Sequence, residues 1–409
     1  MHKPDTIRSS RRPRWSIGAT ALVAIVVLPL CGVLATGGAI EPYLEFPPRP
    51  GSVVHAPFSW TVFLFMAACV VALVLPFIGR ILHENVPYRP SGNDPLHVGS
   101  EDSREACFPW WGWVGLVWTV FAWILAWNRW EWVGEWQLHT FTPLWLGYIA
   151  VMNGLTMART GTSVMRRHPG CFLLLFPLSA SFWWIFEYLN RFVQNWYYLG
   201  GRELTSAEYV LLATVPFSTV LPAVISTADW LSSYPGLSAG LKSAWILPMA
   251  QNRAAGWTIV VGAAAGLIGL GLWPDYLFPL VWVAPLLLIV GLQLATGNET
   301  VFGPAARGDW RLLWIAALAS LICGFFWELW NSGSLAHWKY AIPFTHRFQL
   351  FEMPLLGYAG YLPFGLECLA IVQLFIPTDW IRLPAQDEAS SQMSVHRDDM
   401  FERCVGEPS

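Results

Sequence analysis

The strongest constraint on the fold of this chain is a series of apolar stretches, each about as long as a membrane is thick. A helix that crosses the hydrocarbon core of a bilayer needs about 20 mainly apolar residues. Only 12% of the 409 residues are charged, whereas a soluble domain carries about 25% charged residues. The sequence therefore predicts an all-α, polytopic integral membrane protein with about ten transmembrane helices. The spans are expected at about 16–40, 58–82, 110–127, 141–158, 171–190, 208–228, 256–273, 277–295, 311–330 and 353–376.

Tryptophan content and net charge favour the lipid bilayer as a partner and argue against nucleic acid. The chain has 26 Trp, a residue that is enriched at membrane–water interfaces, where its ring is apolar and its N–H stays hydrated. The 24 Lys and Arg and the 27 Asp and Glu give a net charge of −3. No basic stripe is therefore expected that could follow a phosphate backbone.

Cysteines and histidines give no indication of a cofactor. None of the seven cysteines forms a Cys-x-x-Cys pair, so a disulfide framework or a thiolate metal site is not expected. The histidines are expected in loops, tails or helix ends, whereas a membrane haem needs axial histidines inside its helices. One alternative stays open, in which His139, His337 and His346 together hold a metal ion. Solvated loop histidines are the simpler interpretation.

The positions of Lys and Arg along the chain predict which side of the membrane its termini occupy. Four arginines precede the first span, and Lys and Arg collect in short cytoplasmic loops. We therefore expect a multi-pass protein of a bacterial inner (cytoplasmic) membrane with both termini in the cytoplasm. The first apolar stretch is long for a signal peptide, so a retained helix is expected and a cleaved signal is the alternative. The four arginines are Arg8, Arg11, Arg12 and Arg14.

Two parts of the chain, 113–231 and 256–381, resemble each other. Each carries, in the same order, a Pro-Leu pair, a Thr-Gly pair, a Glu-x-x-Asn element, a Trp-x-Tyr element and an Asp-Trp pair. Four spans in each copy require both copies to enter the membrane in the same direction, as a parallel repeat. The expected organisation is two N-terminal helices (1–82), a cytoplasmic linker (83–109), repeat 1 (110–231), repeat 2 (256–381) and a disordered cytoplasmic tail (382–409).

The Glu-x-x-Asn elements are the repeated polar feature. Glu187 and Asn190 are three residues apart, as are Glu328 and Asn331, and this spacing places each pair on one helix face. A carboxylate in the last turn of a helix opposes the helix dipole, so its repetition favours catalytic carboxylates in a cleft between the repeats. The alternative is structural, with Glu and Asn bonding freed backbone groups or nearby indoles. The expected substrate-binding residues are Asn190, Asn331, Trp196, Tyr198, Trp338, Tyr340 and Pro354.

A third carboxylate, Glu367, lies deep in the last expected span. A charge at that depth costs about 3 kcal/mol on insertion scales and marks a functional site by default. No Lys or Arg in a neighbouring span offsets it, and the first repeat has no acid at the corresponding place. We therefore expect Glu367 to be a third catalytic residue in one half of the protein. The alternative is a protonated Glu that bonds a carbonyl group.

The repeated element resembles that of the lycopene-cyclase-domain membrane proteins of carotenoid synthesis. The resemblance rests on Trp327-Glu328-x-x-Asn331, then Trp338-x-Tyr340, then Pro354, over about 45 residues in each copy. It implies a duplicated helical architecture and an apolar, isoprenoid-type substrate. In that family an acidic pair follows the Pro and is implicated as the proton donor, whereas Leu355-Leu356 and Phe217-Ser218 stand there in this chain.

Three functions fit these features. The first is an intramembrane protein that handles an apolar or amphipathic lipid or isoprenoid in a cleft between the repeats, with the three carboxylates as acid–base groups. The second is a transporter or flippase with parallel four-helix halves. The third is a structural or assembly subunit of a membrane complex, for which Glu367→Gln would be silent.

Overall fold

The computed structural model describes residues 14–49, 51–84, 107–200 and 204–376, and these residues are mostly helical. The longer helices are α1 (Arg14–Ala35), α3 (Trp60–Glu84), α4 (Trp110–Trp127), α5 (Phe141–Thr160), α7 (Pro169–Val193), α8 (Ser206–Phe217), α9 (Val220–Ser232), α10 (Arg253–Leu272), α12 (Ala284–Ala295), α13 (Arg311–Gly333) and α14 (Tyr361–Phe375). Single-turn helices are α2 (Glu41–Leu44), α6 (Val164–Arg167) and α11 (Pro274–Leu277). The strands are β1 (Trp196–Leu199), β2 (His337–Tyr340), β3 (Gln349–Leu350) and β4 (Met353–Pro354).

Within the described ranges, eight helices are long and apolar enough to cross a membrane. A ninth is gained if Pro274–Trp282 and Ala284–Ala295, which meet at a bend of 57°, count as one span. The sequence predicts ten spans. The one that remains is α5, which forms a 20-residue helix but carries several polar residues and falls outside the eight. The mostly helical class is therefore confirmed, with fewer clear spans than expected.

Two helix pairs in corresponding positions of the chain cross at glycines. Gly147 of α5 faces Gly115 of α4, and a Cβ on Gly147 would lie 3.0 Å from the Gly115 carbonyl oxygen. Gly291 of α12 faces Gly256 of α10 in the same manner, at 3.1 Å from the Gly256 carbonyl oxygen. Small residues allow helix backbones to approach closely, which is how apolar helices pack where no water drives them together.

Prolines break three of the spans. The helix that contains Pro216 ends at Phe217, and α9 begins at Val220 after a one-turn offset. The last span begins as a 3₁₀ helix at Leu355–Gly360 and becomes α-helical only at Tyr361. In the bent span, a 3₁₀ segment that contains Pro279 precedes α12. Proline lacks the N–H that would continue the helical hydrogen bonds. Pro29, Pro76 and Pro177 lie inside α1, α3 and α7 without ending them, so a proline alone does not fix where a helix breaks.

The two Trp-x-Tyr segments pair with each other as strands. They run antiparallel, with Trp196 opposite Tyr340 and Tyr198 opposite Trp338. Each Trp therefore lies beside the Tyr of the other segment, and the pairing is symmetric about its centre. The sequence predicts no strands, and the loop expected at each Trp-x-Tyr element is instead half of this strand pair. The difference arises because a four-residue strand carries no periodic signal, and its partner lies about 140 residues away along the chain.

Some expectations fall outside the described residues. They are the arginines before Arg14, most of the linker 83–109, the Asp-Trp pair of repeat 2 and the tail 382–409.

Candidate functional site

Two asparagines hold the paired strands to the ends of their helices. Asn190 donates from Nδ2 to the Trp196 carbonyl (2.8 Å), and its Oδ1 accepts from the Asn195 N–H (2.8 Å). Asn331 repeats the arrangement, donating to the Trp338 carbonyl (2.8 Å) and accepting from the Trp338 N–H (2.7 Å). Both asparagines are fully buried. They satisfy backbone groups that a helix end and a short strand would otherwise leave unpaired.

Glu187 lies one turn before Asn190 and is surrounded by aromatic donors. Its Oε1 accepts hydrogen bonds from the indole N–H groups of Trp183 (3.0 Å) and Trp196 (3.1 Å) and from the Tyr198 hydroxyl (2.5 Å). The side chain is 1% exposed. Three donors to one carboxylate oxygen satisfy much of a group that is expensive to bury.

Glu328 has a matching shell on the other side of the strand pair. Its Oε1 accepts from the hydroxyls of Tyr340 (2.6 Å) and Tyr361 (2.7 Å). The Trp338 indole donates to the Tyr340 hydroxyl (2.8 Å), so it reaches the carboxylate through that oxygen. Glu328 is fully buried. The two carboxylates are therefore held alike, each behind a Trp-x-Tyr strand.

The third donor differs between the two shells. Trp183 lies one turn before Glu187 on α7, and Gly324 occupies the corresponding place before Glu328 on α13. A Cβ on Gly324 would overlap the ring of Tyr361. Glycine thus makes room for Tyr361 of α14. The Tyr361 hydroxyl donates to Glu328 the hydrogen bond that the Trp183 indole N–H donates to Glu187.

The two strand tyrosines, Tyr198 and Tyr340, have raised pKa values. Burial raises the pKa of Tyr198 and of Tyr340 well above the usual value, and the neighbouring Glu187 or Glu328 raises the pKa of each further. Both hydroxyls therefore stay protonated at physiological pH, as hydrogen-bond donors to the carboxylates must be.

An apolar cavity of about 300 Å³ opens beside the strand pair. Five tryptophans and four tyrosines line it within the described residues, and Met66 and Val70 of α3 contribute to its wall. The rings contact one another, with Trp196 and Trp282 at 5.5 Å and Trp183 and Trp327 at 6.4 Å between centroids. The lining tryptophans are Trp183, Trp196, Trp282, Trp327 and Trp338, and the tyrosines are Tyr198, Tyr209, Tyr340 and Tyr361.

Among the described residues the cavity wall carries neither lysine nor arginine; its basic side chain is His337, whose Nδ1 lies 3.1 Å from the Leu335 carbonyl oxygen. Behind the wall, the second oxygen, Oε2, of both Glu187 and Glu328 has no hydrogen-bond partner, and neither carboxylate forms an ion pair within the described ranges. Arg191, one turn beyond Glu187, directs Nη1 to the Pro42 carbonyl. Two buried carboxyl groups without a basic partner in the described part of the chain thus lie on one side of an aromatic cavity.

The structure brings together most of the predicted site residues. Both carboxylates, both asparagines and all four strand aromatics meet at the β1–β2 pair. Pro354 lies in β4, opposite Gln349, and its neighbour Met353, not Pro354 itself, lines the cavity. Glu187 and Glu328 lie one turn further inside their helices than the last turn expected from the sequence, because α7 and α13 continue to Val193 and Gly333.

Glu367 lies apart from this group. It is fully buried in α14, neither oxygen has a hydrogen-bond partner in the described structure, and it does not line the cavity. Both the catalytic role of Glu367 and the alternative, a protonated Glu that donates to a carbonyl group, stay predictions.

The three histidines do not form a metal site. Among the described residues, no group of three His, Cys, Asp or Glu side chains is close enough to hold a metal ion. His337 instead contacts the Leu335 carbonyl (3.1 Å), and His346 contacts Gln349 (3.0 Å).

Four site residues are missed from the sequence: Trp183, Trp282, Trp327 and Tyr361. Trp183 and Tyr361 are signalled only by a difference between the copies, the Trp-to-Gly exchange one turn before the repeated Glu. Trp327 opens the motif that carries the family resemblance but was not expected as a binding residue, and Trp282 carries no signal that separates it from the other tryptophans of the chain.

No protein family, curated protein or solved structure matches this chain. The resemblance to lycopene-cyclase-domain proteins is therefore untested. The function has to be argued from the geometry of the cavity and the two buried carboxylates.

Proposed function

We propose that this protein is an integral membrane protein that binds an apolar or amphipathic lipid, or an isoprenoid, in the aromatic cavity and acts on it by carboxylate acid–base chemistry. The observation that carries the proposal is the convergence of five aromatic donors on Glu187 and Glu328 at the wall of one apolar cavity. Apolar pockets with a few converging polar groups are the usual form of a small-molecule site.

The hydrogen-bond geometry supports a proton-transfer role. In each shell a tyrosine hydroxyl bonds to Oε1 and also lines the cavity: Tyr198 for Glu187, and Tyr340 or Tyr361 for Glu328. A proton can pass between carboxyl group and substrate through that hydroxyl, which gives and takes one proton in the same step. Acid–base groups positioned in this way contribute about 10² to 10⁴ in rate.

The proposal includes a membrane topology. The eight clear spans, together with the bent span and α5, would make ten, and the two helix pairs that cross at glycines support a parallel duplication of one four-helix unit. An even number of spans places both termini on the same side. The basic N-terminus places that side in the cytoplasm of a bacterial inner membrane.

A lipid comparison tests the function. Total lipid extracts would be compared by mass spectrometry from a deletion strain and from strains complemented with wild-type protein, Glu328→Gln, Glu187→Gln or the exposed control Glu299→Gln. We expect one lipid or isoprenoid species to change in the deletion strain, to be restored by wild type and by Glu299→Gln, and to stay changed with the other two. Identical profiles in all strains would contradict the proposal.

A transporter or flippase is the second candidate, and the bent span supports it. Phe278, Pro279, Trp282 and Val283, around the 57° bend, all line the cavity. Broken helices at a central site are typical of transporters. Transport would redistribute a species between the leaflets without changing its mass, so leaflet-selective labelling separates the two functions.

A further inference from the structure

We propose that the cavity binds a quaternary ammonium group, or a similarly bulky ammonium group, carried by the amphiphile that the proposed function assigns to this site. The inference rests on that proposed function and narrows its substrate class. It combines three observations: the aromatic wall, the two unpaired carboxylate oxygens behind it, and the lack of lysine and arginine in the described wall.

The aromatic wall suits a soft cation. A ring face carries negative electrostatic potential, and a cation within about 6 Å of the ring centre is attracted to it, most strongly by Trp. Five tryptophans line a space of about 300 Å³, which is the scale of an ammonium group with the first part of its chain. A compact, strongly hydrated ion would lose its water here without gaining ligands, whereas an alkylated ammonium has little water to lose.

The carboxylates strengthen the preference for positive charge. Two of the five wall indoles and three wall hydroxyls donate their hydrogens to Oε1 of Glu187 or Glu328. Those hydrogens are therefore engaged and do not serve an anionic ligand. Among the described residues the two Oε2 atoms have no hydrogen-bond partner, so a cation in the cavity would offset the cost of burying both groups.

An anionic or neutral ligand fits these observations less well. An anionic headgroup would face two carboxylates with no lysine or arginine of the described wall to pair with it. A purely neutral chain would use the rings but leave the carboxylates unexplained. The same chemistry occurs in a lipid headgroup and in a free small ammonium compound, and these two sources have to be separated by experiment.

Ligand pairs that differ only in charge test the inference. The first pair is choline and its carbon isostere 3,3-dimethylbutan-1-ol, and the second pair is decyltrimethylammonium and its neutral carbon isostere. Binding to the full-length protein in nonionic detergent would be measured by calorimetry. We expect each cation to bind at least about tenfold more tightly than its isostere. The tailed cation should bind more tightly than choline if the source is a lipid.

Variants of the two carboxylates and of one wall tryptophan show which side chains produce the preference for a cation over its neutral isostere. Glu187→Gln and Glu328→Gln keep an oxygen acceptor for the aromatic donors and remove the charge, so cation affinity should fall by about tenfold while the neutral isostere is unaffected. Trp282→Leu should weaken the cation by up to about 30-fold, the equivalent of about 2 kcal/mol for a desolvated cation–π contact, and Trp282→Phe should restore part of it. Glu299→Gln, an exposed acid, is the matched control.

The outcomes distinguish this inference from the proposed function. Equal binding of cation and isostere overturns the ammonium inference and leaves a lipid site standing. Tight binding of choline with no gain from the tail supports the ammonium group and identifies a soluble ligand in place of a lipid. If neither tailed compound binds to folded wild-type protein, both the inference and the proposed cavity function are wrong.

Discussion

Gly324 provides a sharp test of the site geometry. The structure places the Tyr361 ring where a side chain at position 324 would begin, and Tyr361 is itself only 7% exposed. In Gly324→Ala the ring must therefore move, and its hydroxyl loses the 2.7 Å bond to Glu328. Overpacking costs about 1–3 kcal/mol and the lost bond to a charged group about 1.5–3 kcal/mol.

Helix propensity offsets part of this cost. Alanine is favoured over glycine within a helix by about 1 kcal/mol, so the net loss in the free energy of unfolding is about 2–5 kcal/mol. The assay is unfolding of purified protein from nonionic detergent by added SDS, followed by circular dichroism. Gly262→Ala in α10 is the matched control, because a Cβ there would meet no atom within 4 Å, and it should be neutral or stabilising.

A double-mutant cycle separates the ring contact from other effects. Tyr361→Ala removes the hydroxyl and the ring atoms that a Cβ at position 324 would overlap, so Gly324→Ala added to it should cost nothing or stabilise. The two changes should therefore be non-additive by at least about 2 kcal/mol, as expected for residues in direct contact. Additivity within about 0.5 kcal/mol, or a Gly324→Ala protein as stable as wild type, would refute the proposed packing of this half of the site.

Three further predictions follow from the buried polar groups. Asn190→Ala and Asn331→Ala each leave strand groups unpaired and should each destabilise the protein by about 1–3 kcal/mol in the same unfolding assay; effects below about 0.5 kcal/mol would show that the strand pair does not depend on them. Asp229 pairs with Arg167 at 2.6 Å and also accepts from a backbone N–H, so Asp229→Asn should cost about 3–5 kcal/mol, and a silent variant would contradict the buried pair. The pKa of Tyr198 is raised in the folded protein, so its contribution to stability is complete below the unfolded pKa of about 10 and is lost as pH rises beyond that value. Tyr198→Phe should therefore reduce the fall in stability above about pH 10. A pH profile that is the same in the variant and in wild type would contradict the burial of this hydroxyl.

Much of the helical framework follows from the sequence, because the length and apolarity of a span are local properties. The N-terminal spans and α13 lie within a few residues of their predicted bounds. The outer bounds of the bent span, Pro274 and Ala295, lie within three residues of the predicted 277–295. Its bend was not predicted, because Pro279 and Pro285 lie inside an otherwise continuous apolar stretch. Apolar composition alone does not show where such a stretch turns.

The candidate site was predictable in its members and unpredictable in its arrangement. Repetition of Glu-x-x-Asn and Trp-x-Tyr identified both carboxylates, both asparagines and the four strand aromatics. It could not show that the two Trp-x-Tyr segments pair with each other, because that pairing depends on packing of the two halves. Tyr361 was missed for the same reason: it reaches Glu328 from another span, into space left by a glycine.

Lipid that stays bound to the purified protein shows most directly whether the cavity beside Glu187 and Glu328 holds a lipid. Wild type and a Glu187→Gln, Glu328→Gln double variant would be extracted in mild detergent, and the lipids that remain bound would be identified by mass spectrometry. We expect one lipid or isoprenoid species to be enriched on wild type relative to the bulk membrane and to be reduced at least about tenfold on the folded variant. Bound lipid that matches the bulk membrane in both proteins would contradict it.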